Sequence, residues 1–110
     1  MNLKFGIPDT QLKDRIKDVD INCTSEEEAL GICAGCILCG EEPIFYTQNS
    51  GFLRCLDIIT SLFIPYDIPF PHTLLSIRHQ PKHHETCGKV TKKIIDLLGY
   101  YRIEIIEEKC

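Results

Sequence analysis

Apolar positions along this chain fall in short blocks whose spacing switches between that of a strand and that of a helix. "NLKFGIP" reads as a strand ending at Pro8, and Leu12, Ile16 and Val19 give helical spacing to Thr10–Asp18. "VDINCT" is a second strand, after which Thr24 or Ser25 can cap a helix over Glu26–Cys39 that stops at Gly40. Pro43 opens a third strand, "PIFYTQ"; "NSG" turns the chain into a helix over Phe52–Phe63, and "PYDIP" leads out of it. "FPHTLLSI" is a fourth strand and "RHQPKHHE" a polar loop. Cys87–Leu98 is an amphipathic helix with Val90, Ile94, Leu97 and Leu98 on one side, and "YRIEII" is a last strand.

Strands alternating with helices predict an α/β domain. The expected sheet is mostly parallel, with about five strands and helices on both faces, because parallel neighbours need crossovers. Ligands of such sheets sit beyond the carboxyl ends of the strands. The segments of interest are then Gly6–Thr10, Thr24–Glu28, Gln48–Gly51 and Arg78–Glu85.

The chain has 110 residues, which fits a single domain over 1–110, whole or shortened. Twelve basic and 16 acidic side chains give a net charge of −4, with no basic cluster to track a phosphate backbone, so nucleic acid is not an expected partner. The uncharged stretch Ala29–Gly40 is too short to span a bilayer and no export signal opens the chain, so a cytoplasmic, membrane-free protein with reduced thiols is expected.

Cys33, Cys36 and Cys39 repeat the C-x2-C spacing of cluster ligands. The fourth cysteine and following proline are missing, and steps of three residues on a helix spread the sulfurs over about 120° of arc. Small buried thiols among Gly31, Ala34 and Gly35 are the expectation, and no metal site is assigned. Cys87 near His83 and His84 would make at most half a zinc site, and Cys110 an exposed thiol. Ser25 and Glu28 have capping-box spacing, and acidic residues suit a helix start, which accounts for Glu27 and Glu28.

Taken whole, a strand, then a glutamate, then G-I-x-A-G in a small-residue helix resembles the pyrimidine-binding domain of thiamine diphosphate enzymes. More closely, "SEEEALGICAGCILCGEEPIFYTQNSG" resembles the phosphonopyruvate and sulfopyruvate decarboxylase family, with its acidic run, small-residue helix, G-x-x-P and Q-N-S-G. "FGIPDTQLK" is similar to the family's G-V-P-D-S-x-L-K, "YDIPFP" to Y-x-I-P, "SIRH" to S-x-R-G, and "HETCGKVTKKIIDLLG" to H-x-x-x-G-x-x-T-x-x-L-L-x-x-L-G. These motifs run in the same order over nearly the whole chain. His79 stands where the family has glycine.

The resemblance implies a thiamine diphosphate-binding fold and decarboxylation of a 2-keto acid. It implies that Glu26 is the catalytic, cofactor-activating carboxyl and that Gln48, Asn49, Ser50 and Gly51 form the turn approaching the aminopyrimidine. Asp9 and Thr10 would lie beside the substrate, though an N-cap role for either remains open. Arg78 and His84 are expected to hold an anionic sulfonate or phosphonate tail, which takes a forked cationic donor. The G-D-G…N motif that holds magnesium and the diphosphate is absent from these residues. The resemblance therefore implies an α subunit completed by a β subunit, closest to that of sulfopyruvate decarboxylase. A phosphonopyruvate decarboxylase-like protein and a silent, shortened binding module are the alternatives.

Overall fold

A computed structural model describes residues 3–7, 21–100 and 102–107. Five strands, β1 (Lys4–Gly6), β2 (Ile21–Asn22), β3 (Ile44–Gln48), β4 (His72–Ile77) and β5 (Ile103–Glu107), form one sheet in the order β2-β1-β3-β4-β5. Every neighbouring pair is parallel. Parallel neighbours cannot be joined by a tight turn, and the links carry helices. Helix α1 (Glu26–Leu38) joins β2 to β3, and α4 (Glu85–Leu98) joins β4 to β5. Between β3 and β4 run α2 (Asn49–Arg54), α3 (Leu56–Ile58) and a π-turn, Ile59–Phe63. The expected α/β class is present; the helix expected over Thr10–Asp18 lies outside the described residues.

Paired residues of parallel strands share a face. Phe5 pairs with Phe45, Phe45 with Thr73, and Thr47 with Leu75, and all five are buried. This face meets Ala29, Leu30 and Cys33 of α1, Phe52 of α2, Ile59 and Phe63 of the π-turn, and Ile95 of α4 in one core. Tyr46, on the opposite face, packs with Leu74 and Ile106. Phe70 locks the loop before β4 into the core, stacking on Tyr100 at 4.4 Å and meeting Phe63 edge-on at 5.3 Å, contacts worth about 0.5–1.5 kcal/mol each beyond their area.

The helices depart from expectation in three places. The helix after β3 begins at Asn49 rather than Phe52, with Gln48 in extended backbone as its N-cap, so the "NSG" turn is its first turn. The chain then tightens at Cys55 and widens to i→i+5 bonding, Ile64 N–H to the Ile59 carbonyl at 3.0 Å, which turns both Ile59 and Phe63 inward. In α4 the buried positions are Gly88, Thr91 and Ile95, and Leu97 is 87 % exposed rather than on the apolar side. Part of the expected polar loop before it, Lys82–His84, is a 3-10 turn. Among the described residues no helix is long and apolar enough to cross a membrane.

Candidate active site

With the order β2-β1-β3-β4-β5, the chain steps outward from β1 to β2 and then returns past β1 to β3. That reversal opens a crevice at the carboxyl ends of β1 and β3, where doubly wound sheets take their ligands. The two strands crowd each other there: a Cβ on Gly6 would lie 2.1 Å from the Tyr46 carbonyl oxygen. Helix α1 starts at this edge, and its three glutamates have separate fates.

Ser25 caps α1 by accepting the Glu28 N–H at 3.1 Å. Glu28 reaches back, accepting from the Thr24 N–H at 3.2 Å and the Thr24 hydroxyl at 3.1 Å. The capping box is therefore real, and Glu28 is spent on it. Glu27 does not join the cap as expected: its Oε1 is buried and has no hydrogen-bond partner. Glu26 is only 9 % exposed, and among the described residues no hydrogen bond or ion pair reaches its carboxylate.

Glu26 is held by shape instead. A Cβ on Gly51 would fall 2.5 Å from Glu26 Cγ, 2.5 Å from its Oε1 and 2.5 Å from Thr47 Oγ1. Only glycine lets α2 pass this close to the carboxyl. Cys55 lies nearby: burial first, then the negative charges of Glu27 and Glu26, push its thiol up to about 12. Thr47, Glu27 and Cys55 were not singled out from sequence. Period-2 alternation in β3 puts Thr47 on the face of Phe45, and that was the available signal.

The carboxyl-edge loops are tied together. Asn49 is fully buried; its amide donates to the Arg78 carbonyl at 2.9 Å and its carbonyl accepts the Arg78 N–H at 3.3 Å. The structure thus gives Asn49 the job of joining the loop after β3 to the loop after β4. His79 fills the family's glycine position by lying against Gly88 of α4, where a Cβ would come within 2.5 Å of its Nδ1. Its Nε2 lies 2.9 Å from Glu107 Oε1, and Lys92 holds the other carboxylate oxygen.

Among the remaining expected site residues, Gln48 and Ser50 are half-buried beside Asn49, and Arg78 is half-buried at the end of β4. His84 is buried, its ring 4.1 Å from that of His83. Asp9 and Thr10 lie outside the described residues. The structure brings Glu26 against Gly51 and Asn49 against the backbone of Arg78.

The three spaced cysteines diverge: Cys33 is buried, Cys36 half-buried and Cys39 exposed as the C-cap of α1. Only Cys33 fits the expectation of a buried thiol, and burial pushes it up to about 12. Among the described residues no three His, Cys, Asp or Glu side chains come together as a metal site. A cavity of about 420 Å³ opens at the opposite edge of the sheet, between Glu41–Ile44 and Pro69–His72. It lies at the amino ends of the strands, away from the buried carboxyl, and the crevice beside Glu26 remains the better candidate on chemistry.

Fold and site together define an α/β domain with a partnerless carboxylate buried where a parallel sheet binds ligands. Comparison by sequence then gives the particular relatives, which are sulfopyruvate decarboxylases. The chain is 38 % identical to the alpha subunit of Methanocaldococcus jannaschii over 111 residues, covering 87 % of this chain and 64 % of that protein. It is 34 % identical to the alpha subunit of Methanococcus maripaludis over 87 residues, covering 73 % of this chain and 50 % of the relative. A sulfopyruvate decarboxylase of Methanosarcina acetivorans matches over 67 residues at 34 % identity, covering 53 % of this chain and 17 % of that protein. The chain thus spans between half and two thirds of the length of the alpha subunits it matches. No protein-family model matches it. The resemblance read from the motifs is borne out by these relatives.

Glu107 anchors the Arg78–His79 loop to the edge strand, and its hydrogen bonds from Lys92 and His79 lower its pKa. A carboxyl lowered on folding adds stability that is complete above its unfolded pKa and is lost as pH falls through the folded value. The side chain is 42 % exposed, so the contribution is under about 1 kcal/mol. Glu107→Gln should lower the melting temperature by a few degrees at pH 7, and the difference from the parent should vanish at about pH 3. Melting curves across that range check this; a difference independent of pH would contradict it.

Proposed function

We propose that this chain is the pyrimidine-binding α subunit of a thiamine diphosphate-dependent carboxy-lyase that converts sulfopyruvate to sulfoacetaldehyde and carbon dioxide, a step of coenzyme M biosynthesis. It would act in the cytoplasm with a β subunit that carries the magnesium and diphosphate site. One observation carries the reading: Glu26 is buried yet accepts no hydrogen bond from its own chain. A buried acceptor left unmade forfeits about 1–3 kcal/mol, more than the roughly 0.3–1 kcal/mol a helix start returns to an acidic side chain. A donor from outside the chain would close that deficit.

The aminopyrimidine fits what these residues offer. A ring nitrogen could take a hydrogen bond shared with the Glu26 carboxyl, and Gly51 leaves the carboxyl room to face the crevice. When bound, thiamine diphosphate supplies the electron sink that loss of carbon dioxide from a 2-keto acid requires. In this reading Glu26 holds and returns a proton at its carboxylate, shielded from water. Gln48, Ser50 and Gly51 line the approach, and Asn49 fixes the Arg78 loop to them. Arg78 and His84 would bind the sulfonate, with Asp9 and Thr10 beside the keto acid.

The partner would dock on the outer stripe of α1. Gly31 and Gly35, one turn apart, have no atom of this chain within 4 Å of where a Cβ would stand, and Leu38 on the same stripe is 72 % exposed. Small residues there let a second backbone approach closely.

Two measurements test the proposal. With the β subunit, thiamine diphosphate, magnesium and sulfopyruvate, Glu26→Gln should lower carbon dioxide release by about 10²-fold or more, the usual worth of a positioned acid–base group; unchanged turnover would remove Glu26 from the mechanism. Gly35→Leu should keep or raise the melting temperature of the chain, since a helical glycine is worth about 1 kcal/mol less than a better helix former. The same variant should weaken association with the β subunit at least about tenfold by calorimetry; undiminished association would place the partner elsewhere.

A further inference from the structure

We propose that Thr47 is a positioning residue for Glu26, its hydroxyl and the bare Cα of Gly51 forming a cradle that fixes where the carboxyl lies. The proposal rests on reading Glu26 as the cofactor-facing group and adds the residue that sets it. Three elements meet in the cradle: Glu26 from the first turn of α1, Thr47 from β3 and Gly51 from α2. Each contributes an atom within 2.5 Å of one point, the place a Cβ on Gly51 would occupy. Two oxygens at that distance from a common point, Glu26 Oε1 and Thr47 Oγ1, can be no further apart than twice it.

Thr47 is fully buried, and its hydroxyl donates to the Gln48 carbonyl at 3.1 Å. Its χ1 is stiff because the side chain is β-branched. What remains free is the proton, which can turn about the C–O bond. A hydroxyl has one proton and two lone pairs, so it can donate to an ionised carboxylate and accept from a protonated one. A carboxyl that takes up and returns a proton while shielded from water needs a neighbour able to serve both states. Among the described residues no other group is hydrogen-bonded to Glu26. Gly51 closes the opposite side of the cradle, so the carboxyl cannot retreat from the hydroxyl without meeting backbone.

The test compares Thr47→Val, which keeps shape and removes the hydroxyl, with Thr47→Ser, which keeps the hydroxyl, in the full complex with the β subunit. The valine variant should lower kcat about tenfold, the scale of one hydrogen bond to a charged group, with KM for sulfopyruvate within about twofold. Without cofactor, the ¹³C resonance of the Glu26 carboxyl, assigned through Glu26→Gln, should move in the valine variant. Serine should restore both readouts. A valine variant with parental kcat and an unmoved resonance, or a serine variant no better than valine, overturns the proposal. If valine prevents folding, Gly51→Ala probes the same cradle: it should move the resonance and lower kcat by more than tenfold, and parental values for both would overturn the proposal equally. Should the parent complex release no carbon dioxide, the decarboxylase reading fails while the resonance still decides the role of Thr47.

Discussion

Glu26 keeps a carboxyl group at 9 % exposure with no donor from its own chain within hydrogen-bonding reach. Folded chains rarely tolerate this, because an ionised or even a polar group taken from water without a partner is held at a net loss. Much of the neighbouring structure is arranged around that loss. Glu28 and Ser25 complete the cap of α1, so the start of the helix is secured without Glu26. Gly51 gives up its side chain to let the carboxyl lie against α2, and Thr47 walls the other side.

The scaffold explains why three distant segments can meet there. A parallel sheet in the order β2-β1-β3-β4-β5 gathers the ends of β1, β2 and β3 at one edge, next to the point where the chain reverses direction. The Asn49 amide then binds the backbone of Arg78 from both sides, carrying the geometry of the second loop across to the third. His79 extends this to the sheet edge through Gly88 and Glu107. A residue that breaks the family pattern is thus accommodated by a glycine opposite and a carboxylate beyond.

The sheet was legible because its signals are local: short apolar runs bounded by Gly and Pro gave β3, β4 and β5 almost to the residue. The cap of α1 was legible for the same reason, one hydroxyl and one glutamate three residues apart. The break in the helix after β3 was not, since a π-turn at Ile59–Phe63 arises from the need to bury two side chains that ordinary helical spacing would separate. Leu97 was misplaced because four apolar residues on α4 compete for a stripe that Gly88, Thr91 and Ile95 occupy, close packing of small residues having won over hydrophobicity. Glu26 and Gly51 were found through motif resemblance, whereas Thr47 depends on how α1 and α2 cross over β3, which no linear pattern encodes. Asn49 was correctly placed in the site region, but its backbone clamp becomes visible only once the ends of β3 and β4 lie side by side.

The central claim is that the missing partner of Glu26 is the aminopyrimidine of thiamine diphosphate, presented at the carboxyl edge of the sheet. The most direct measurement is the distance between the Glu26 carboxylate and that ring in a crystal structure of the chain with its β subunit and the cofactor. The account predicts a contact of about 2.6–3.2 Å, the range of a productive hydrogen bond. A ring bound elsewhere, or a Glu26 carboxylate paired with a side chain of the partner subunit, would contradict it.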